Sequence, residues 1–544
     1  MKNKYLILLL FTFLACENSI EKPPNIVLIM MDDMNDYPEV FNGHPQAKTP
    51  NIKKLANSGI SFLKAYTNNP ICGPSRSSFL SGIYPHNSSN FWQESWLKNE
   101  VLANTKTMME KFKENGYNVV GSGKILHHFT DGVWTEFANK TDFGPVAYKG
   151  DHENGKKGIS HPDVPAPFRT ERMVGCCNMN GGQIDGSFGP LKNVNNLKMN
   201  GEQLSWAYGG SRGYKEFKYN SEEDRDLTPD EINAKWAEDK LTELASSDNK
   251  EPFFLAVGFV RPHTPLIAPQ KYFDLYPLED IQLANILEND KEDTYFHLED
   301  QFETKERRTR SIESYVNLMK SYKDPHEALS KYTQAYLACV SAVDDNIGQV
   351  INAIDNSELR DNTIIVLVSD HGWTMGEKDH VYKNSLWEES TRVPLIIRAP
   401  NAIGGSLVNH PVSLIDIYPT LLELAGLDTE TKKNDKGKSL DGYSLVPFLK
   451  DPETKDWDGP EAALTVVYSS DNNKNKPANH HYSIRTKDWR YIIYDSGKEE
   501  LYHNAEDPKE WNNLVFNKIH PKRDEMVEIL KEMTYPMVPN GLNN

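Results

Sequence analysis

A series of continuous apolar runs, each followed by charged or glycine-rich residues, constrains the fold of this chain most strongly. The first run, NIVLIMMDD, begins at Asn25 and ends in Asp32 and Asp33, and three later runs have the same character: YNVVGSGK, PFFLAVGFV and NTIIVLVSDHG. Uninterrupted apolar runs of this length are typical of strands that are buried on both faces of a parallel sheet.

Helical patterns lie between these strands. They are TPNIKKLANSG, NTKTMMEKFKENG, EINAKWAEDKLTELASS and TQAYLACVSAVDDNIGQVINAID. The first has Thr49 at the N-cap, Pro50 at the first helical position and Gly59 at the C-terminal end. Strands that alternate with helices predict an α/β fold, a mostly parallel sheet flanked by helices. In such folds ligands bind beyond the carboxyl ends of the strands.

The pattern along the chain predicts two domains. Residues 24–450 form the larger one, in which residues 130–225 lack periodicity and are interpreted as long loops over the active face. VSLIDIYPTLLELAGL is a further helix near its end. Residues 451–544 change to short strands, HYSIRTKDWRYIIYD, and a closing helix, KRDEMVEILKEM, which predict a smaller C-terminal α+β subdomain.

The N-terminal segment is typical of an exported protein. Residues 1–16, MKNKYLILLLFTFLAC, carry two lysines and then an apolar run too short to span a bilayer, so they are interpreted as a signal peptide. The end of the run resembles a lipobox, in which Cys16 would be lipidated; an ordinary cleaved signal is the alternative. Residues 17–23 would be a tether. The expected location is the periplasm or the outer-membrane or cell surface, with membrane contact only through the lipid anchor.

Charge and cysteine usage exclude several classes of protein. A net charge of −18 argues against non-specific nucleic-acid binding, so an anionic ligand would need a local basic pocket. Five cysteines in 544 residues do not make a disulfide scaffold, and their spacing fits no zinc finger. Cys176 and Cys177 are adjacent, and Cys339 lies in an apolar helical pattern as a core residue.

One cysteine, Cys72, stands in the stretch ICGPSRSSFLSGIYP. Pro74 suits the first turn of a helix, so Cys72 lies at or just before the helix N-terminus, where free amide groups and the helix dipole favour an anion. Arg76, one turn later, can contact an oxyanion or hold residue 72 in place. From these residues alone, Cys72 is a thiolate nucleophile, a cysteine destined for modification or a buried structural residue.

The segment CGPSRSSFLSG resembles the Cys-x-Pro-Ser-Arg signature of the sulfatase family. The resemblance implies an alkaline-phosphatase-like fold and conversion of Cys72 to formylglycine, an aldehyde whose hydrate is the nucleophile. A formylglycine-generating enzyme or an anaerobic sulfatase-maturating enzyme would then be a partner.

Acidic residues follow two of the strands. Asp32 and Asp33 end the first, and Asp370 and His371 follow NTIIVLVS. Carboxylates that converge from separate strand ends suit a hard divalent cation. The family resemblance implies calcium, bound by these four residues and by the modified Cys72.

Four basic residues also follow strands. They are Lys124 and His127 in GSGKILHH, with His128 as an alternative to His127, His263 in GFVRPHTPLIAP and Lys383 in DHVYKNSLWEES. The motifs are similar to those of iduronate-2-sulfatase-like sulfatases. By that resemblance Lys124 and Lys383 bind sulfate, His263 is the general acid, His127 is the base that regenerates the aldehyde, and Arg76 orients residue 72.

The sequence thus predicts an enzyme that removes sulfate from a sulfated polysaccharide or oligosaccharide, either an algal glycan such as ulvan or carrageenan or a glycosaminoglycan. One alternative is a phosphatase or phosphodiesterase of the same superfamily, which would use two zinc ions. Another is a non-catalytic glycan-binding lipoprotein. Candidate sugar-stacking residues are Trp92, Trp96, Trp373 and the pair His480 and His481; alternatively, several of them belong to the core.

Overall fold

A central eight-stranded sheet organises the larger domain of the computed structural model, which describes residues 22–150, 158–169, 186–209, 215–248, 251–295, 310–469 and 476–543. In spatial order its strands are Ser406–Val408, Ile60–Phe62, Leu395–Arg398, Thr363–Ser369, Asn25–Asp32, Phe253–Pro262, Asn118–Gly123 and Glu136–Phe137. The last five strands of this order run parallel, whereas Leu395–Arg398 is antiparallel to both of its neighbours. The sheet is therefore mostly parallel, and all four strands predicted above are confirmed.

The first strand, Asn25–Asp32, lies in the middle of this sheet and explains why the apolar run is continuous. Val27, Ile29 and Met31 point into one hydrophobic core, whereas the alternating residues point into another. Each of these side chains is fully buried, and burying one contributes about 1.5–3 kcal/mol. A polar residue at any of them would lose that contribution.

Helices cover both faces of the central sheet. One face packs against the helices Pro50–Ser58, Pro229–Ser246 and Pro325–Asp355. The other packs against the helices Cys72–Ser81, Met108–Glu114, Ile417–Leu424 and Val446–Lys450. The remaining α-helices are Pro85–Ser88, Glu100–Ala103, Gln270–Phe273, Arg310–Ser321, Glu388–Thr391 and Lys522–Thr534. Short 3-10 helices are Glu39–Phe41, Trp96–Lys98, Leu278–Asp280, Asp290–Asp293, Arg360–Asn362, Glu377–Asp379, Leu414–Asp416, Pro477–Asn479 and Asn540–Asn543.

The interpretation of residues 130–225 as long loops is wrong for several segments. An antiparallel sheet there contains Glu216–Phe217, Glu202–Ala207, Val146–Lys149, Gly158–Ile159 and Lys198–Met199. A further strand, Phe188–Pro190, pairs with Leu266–Ala268. Most of these strands are two to four residues long, and a strand that short shows no readable alternation. Their pairing is fixed by tertiary contacts around Trp206 and Phe217.

The C-terminal α+β subdomain is confirmed. Its antiparallel sheet contains Ala462–Val467, His481–Thr486, Trp489–Ile493 and Glu499–His503, and the helix Lys522–Thr534 packs on that sheet. The boundary at residue 450 falls between the helix Val446–Lys450 and the first of these strands, and it stays a prediction.

Three smaller pairings complete the described structure. Arg392–Val393, Ala65–Tyr66 and Val412–Ser413 form one small sheet, and Thr374–Met375 pairs with Val381–Tyr382.

None of the helices described is both long and apolar enough to cross a membrane. The signal peptide with Cys16, most of the tether, and Cys176 with Cys177 lie outside the described residues. Cys339 is fully buried in the core, as expected.

Candidate active site

The carboxyl edge of the central sheet brings the predicted site residues together. Asp32 and Asp33 come from the end of the first strand, and Lys124, His263 and Asp370 follow three of the other parallel strands. Because parallel strands end at the same edge of a sheet, their terminal side chains meet there. All of these side chains are buried.

Cys72 lies at the centre of this group. It is the first residue of the helix Cys72–Ser81, and 2% of its surface is exposed. Its Sγ lies 3.1 Å from Lys383 Nζ, 3.3 Å from His371 Nε2 and 3.8 Å from Lys124 Nζ. Burial raises the pKa of the Cys72 thiol, which disfavours a free thiolate nucleophile. Two cationic side chains thus converge on the position of this sulfur atom.

Asp33 has the geometry of a residue that needs a further partner. Its φ of 65° is in the left-handed region, which costs energy for a non-glycine residue. Its Oδ1 accepts a hydrogen bond from Lys383 Nζ at 2.6 Å, but the buried Oδ2 has no hydrogen-bond partner in the described structure. Burial raises the pKa of Asp33 to about 8. A cation at this oxygen would remove the cost of burying it.

Two overlapping groups of donor atoms could hold that cation. Within each group the donor atoms lie within 4.8 Å of one another. The members of the first are Asp32, Cys72, Asp370 and His371, and those of the second are Asp32, Asp33, Cys72 and His263. Each set contains two carboxylates, and one carboxylate oxygen, Asp33 Oδ2, is unpartnered among the described residues, so the residues present fit a hard divalent cation. The four predicted metal residues are therefore adjacent, and His263 lies beside them.

Arg76 holds the carboxylates in place. Its Nε donates to Asp370 Oδ2 at 2.8 Å, and one of its terminal nitrogens lies 3.3 Å from Asp32 Oδ1. The other terminal nitrogen donates to the backbone carbonyls of Lys124 and Ile125. Since these contacts account for the guanidinium, Arg76 acts on the metal-site carboxylates, and its hydrogen bonds in the described structure do not reach Cys72.

An aromatic residue that sequence reasoning missed, Phe143, forms one wall of the site. Its ring lies 5.0 Å from the ring of His263 and 4.7 Å from Lys124 Nζ, which also contacts the Asp32 carboxylate. The Nδ1 of His263 is paired with the carbonyl of Thr264 at 2.6 Å, so Nε2 is the nitrogen that faces the carboxylates. Phe143 lies in the region interpreted as a loop, where no local signal marked it.

His127 lies beside the start of the Cys72 helix rather than against the sulfur atom. It shares a small cavity with Gly73, Arg76, Ser77 and His128. Its Nδ1 is buried without a hydrogen-bond partner among the described residues, and burial with the nearby Lys124 lowers its pKa well below the usual value. A neutral imidazole with an unpaired nitrogen can accept a proton. The alternative, His128, instead pairs its Nε2 with the carbonyl of Gln93 at 3.3 Å.

The loop that carries Lys383 is held by the C-terminal subdomain, which the sequence did not predict. Lys378 contacts the carbonyl of Glu510 at 2.5 Å, and Arg490 donates to the carbonyl of Leu386 at 2.8 Å. Arg490 also binds Glu388 at 2.5 Å. Tyr382, next to Lys383, has a φ of 146°, a conformation that persists only where the surroundings enforce it. The subdomain therefore fixes both sides of this loop.

The buried Glu388 carboxylate is expected to stabilise the fold by a measurable amount. Burial opposes its ionisation, but Arg485 and Arg490 outweigh burial and hold the pKa of Glu388 well below its usual value. The stabilisation is complete above the ordinary glutamate pKa of about 4.3 and is lost as the pH falls toward the lower folded-state pKa. We expect Glu388→Gln to lower the free energy of unfolding at pH 7 by about 3–5 kcal/mol.

Urea denaturation at pH 7 and pH 4 checks this prediction. Between pH 7 and pH 4 the free energy of unfolding should fall less in Glu388→Gln than in the wild type, because the variant lacks the carboxylate that takes up a proton. Glu525→Gln is the control, since Glu525 is an exposed glutamate of the C-terminal subdomain that Glu388 contacts. Equal effects of the two substitutions would contradict the structural role of Glu388.

The sugar-stacking candidates divide into two classes. Trp96, Trp373, His480 and His481 are buried, so the interpretation as sugar-facing residues is wrong for them and the core alternative holds. Trp92 is 42% exposed. The sequence could not separate these residues, because aromatic side chains occur in cores and on surfaces alike.

Comparison with known proteins finds similarity to sulfatases over most of the chain. The family described as "Sulfatase" matches residues 24–161 and 182–427, and the family described as "N-sulphoglucosamine sulphohydrolase, C-terminal" matches residues 376–536. A sulfatase of Formosa agariphila is 31% identical over 535 residues, which cover 95% of this chain and 89% of that protein. Iduronate 2-sulfatase of Homo sapiens is 26% identical, covering 91% of this chain and 92% of that protein.

A solved structure supports the fold. It is the complex of a protein with its substrate D-glucosamine-2-N,6-O-disulfate, and it is 21% identical to this chain with a TM-score of 0.65. The similarity covers 95% of this chain and 99% of that one. The arrangement of sheet, flanking helices and C-terminal subdomain is thus common to both proteins.

Proposed function

The chain belongs to the sulfatase family, and from this premise we propose that it hydrolyses sulfate esters of a polysaccharide or oligosaccharide, with formylglycine made from Cys72 and with calcium. The observation that carries the proposal is the position of Cys72 Sγ, 3.1 Å from Lys383 and 3.8 Å from Lys124. A sulfate group bound to residue 72 would lie between two ammonium groups, which suits its anionic oxygens.

Residue 72 and the metal supply the parts of the chemistry that the other side chains cannot. The hydrate of formylglycine offers one hydroxyl group for attack on sulfur and a second through which sulfate is expelled. Asp32, Asp33, Asp370 and His371 would hold the calcium, which would supply positive charge for the oxygens around sulfur. The carboxylate-rich donors and the unpartnered Oδ2 of Asp33 support this assignment.

The two lysines bind and orient the ester. Each can donate hydrogen bonds to a sulfate oxygen while it stays within reach of residue 72, so the sulfur atom is presented to the nucleophile. Phe143 restricts the position of Lys124 from the side. Lys383 is held by its hydrogen bond to Asp33 and by the attachment of its loop to Arg490.

The two histidines move protons at different places. The Nδ1 of His263 carries a proton that it donates to the Thr264 carbonyl, so in its cationic form His263 would give a second proton, from Nε2, to the departing sugar oxygen. In the free protein, burial and the neighbouring lysines lower the pKa of His263; a sulfate anion bound beside it would raise that pKa. His127, neutral and unpaired at Nδ1, would take the proton from residue 72.

A sulfated carbohydrate is the proposed substrate class. Two of the similar proteins are named for sulfated sugars, the human iduronate 2-sulfatase and the protein in complex with a disulfated glucosamine. The proposed signal peptide and the lipid anchor at Cys16 would place the enzyme outside the cytoplasm, where polymeric glycans are accessible. Maturation by a formylglycine-generating or anaerobic sulfatase-maturating enzyme would precede activity.

Sulfate release from a panel of glycans tests the proposal. The protein is produced together with a maturation enzyme and incubated with ulvan, carrageenan, heparan sulfate and chondroitin sulfate oligosaccharides, and free sulfate is measured by ion chromatography. We expect release from at least one of them. Release of phosphate from phosphate mono- or diesters without any sulfate release would favour the phosphatase alternative. Tight glycan binding without turnover would favour a binding protein.

Removal of the metal gives a further prediction. Dialysis against EGTA is expected to lower kcat/KM at least about 100-fold, because the sulfate oxygens lose their strongest neutralising charge. Calcium should restore the activity. Elemental analysis of the untreated protein should find one calcium per chain. Two zinc ions per chain would contradict the calcium assignment, and so would full activity after EGTA.

A further inference from the structure

We propose that Trp92 and Tyr468 form a platform that stacks on a sugar ring adjacent to the one that carries the sulfate. This platform rests on the proposed function, and it adds a carbohydrate subsite that the catalytic residues do not provide. The occupant is the apolar face of a pyranose ring in a sulfated oligosaccharide.

The exposure of Trp92 is the first observation. All ten tryptophans of the chain lie within described segments, and Trp92 is the exposed one among them, at 42%. Exposing an indole ring to water is unfavourable, so an exposed ring that the fold holds in place is available for a ligand.

The platform is supported from beneath. The Trp92 ring lies 5.4 Å from the ring of Tyr468 with an interplanar angle of 38°. Tyr468 in turn lies 5.4 Å from His480, which lies 4.0 Å from Phe91. Phe91 and His480 are buried. An isolated surface tryptophan would lack this layered support, which restricts the ring to one orientation.

The platform lies next to the nucleophile. The carbonyl of Phe91 accepts a hydrogen bond from Asn69, three residues before Cys72. The Gln93 side chain covers Gly73 so closely that a Cβ at Gly73 would collide with Gln93 Oε1. Trp92 lies in the chain between these two residues, so the platform is held close to the start of the helix that carries residue 72.

Tyr468, the other residue of the platform, belongs to the C-terminal subdomain. It follows the strand Ala462–Val467, which pairs with residues 67–69 through a hydrogen bond from Val466 N to the carbonyl of Asn68 at 3.0 Å. Thr465 also donates to the carbonyl of Thr67 at 2.6 Å. The C-terminal subdomain thus contributes half of the platform.

A polar atom complements the aromatic surface. Gln93 Oε1 is buried and has no hydrogen-bond partner in the described part of the chain. A sugar ring presents an apolar face to an aromatic ring and hydroxyl groups at its edge, one of which would pair with the Gln93 amide oxygen once that side chain turns away from Gly73. The two features together favour a sugar over a purely apolar ligand.

The test compares a long substrate with a short one. For Trp92→Ala, the ratio of kcat/KM on a sulfated tetrasaccharide to kcat/KM on 4-nitrophenyl sulfate should fall about tenfold, mainly through KM. The tetrasaccharide is the one that the wild type turns over fastest in the panel above. Trp92→Phe should keep the ratio within about threefold, because a ring remains. Leu97→Ala removes another exposed apolar side chain nearby and should leave both activities unchanged.

A second measurement is independent of turnover. N-bromosuccinimide oxidises exposed indole rings, and mass spectrometry locates the product. We expect Trp92 to be oxidised first in the wild type and to be protected by the same tetrasaccharide. An unchanged ratio in Trp92→Ala, or oxidation that the tetrasaccharide does not slow, would overturn the platform. Failure of the wild type to release sulfate from any glycan would instead overturn the proposed function, so the two failures are distinguishable.

Discussion

Replacing Cys72 by alanine is expected to lower sulfate-ester hydrolysis at least about 10,000-fold, because the reacting atom itself is removed. In the proposed mechanism, every other group in the site acts on a sulfate that is attached to or aligned with residue 72. A side chain without an oxygen or sulfur atom leaves the lysines with a ligand but no nucleophile. The measurement is kcat/KM on 4-nitrophenyl sulfate, for protein produced with the maturation enzyme.

The matched control is Cys339→Ala. Cys339 is also a buried cysteine, but it lies in the hydrophobic core on the helix Pro325–Asp355 and belongs to neither group of candidate metal-binding residues. Its replacement should retain activity, with at most a modest loss of stability. Circular dichroism should show that both variants are folded. Activity of Cys72→Ala within tenfold of the wild type would exclude residue 72 as the nucleophile.

Loss of activity in Cys72→Ala fits either a formylglycine or a thiolate at residue 72. Mass spectrometry of the wild-type peptide that spans residue 72 separates these two explanations. An aldehyde or its hydrate at this position supports the formylglycine mechanism. A plain thiol in active protein would contradict it and would return Cys72 to the role of a thiolate, against the raised pKa that burial gives it.

Lys383→Met is expected to lower kcat/KM by about 100- to 1,000-fold, because one of the two ammonium groups that face residue 72 is lost. Methionine keeps most of the volume of the side chain, so packing against Trp373 and Tyr382 is retained. The loss should fall mainly on kcat, since the charge on the sulfate oxygens changes most in the transition state.

Two controls accompany this variant. Lys53→Met removes a lysine that is 51% exposed and should leave the activity unchanged. The peptide that spans residue 72 and the calcium content should both be measured in Lys383→Met, because Lys383 also contacts the metal-site residue Asp33. A decrease of less than threefold, with normal modification and metal content, would contradict the role in sulfate binding.

Much of the fold could be predicted from the sequence because its central strands are buried on both faces. The run from Asn25 to Met31 is apolar throughout for this reason, and its two final aspartates mark the edge of the sheet. The site was predictable because Cys72 and its neighbours form a local signature, and because strand ends carry the other groups. Those residues lie far apart in sequence, but the topology of a parallel sheet brings them together.

Features that depend on contacts between distant segments could not be predicted. Phe143 is one aromatic residue in a region without periodicity, and its role depends on the positions of Lys124 and His263. Arg490 lies in a short strand of the C-terminal subdomain, where a charged residue is usually exposed. Its burial against Glu388 follows from the docking of the two parts of the chain.

The attachment of the Lys383 loop to the C-terminal subdomain has a consequence for the order in which the enzyme is made. The residues that hold this loop, Arg490 and Glu510, leave the ribosome after every residue of the candidate site. Until they emerge, the nascent chain has its cysteine, its acidic residues and its lysine, but the loop that carries the lysine lacks these two attachments. A chain that ends before them would lack both attachments of the loop, so the placement of Lys383 depends on a segment that is made after the site residues themselves.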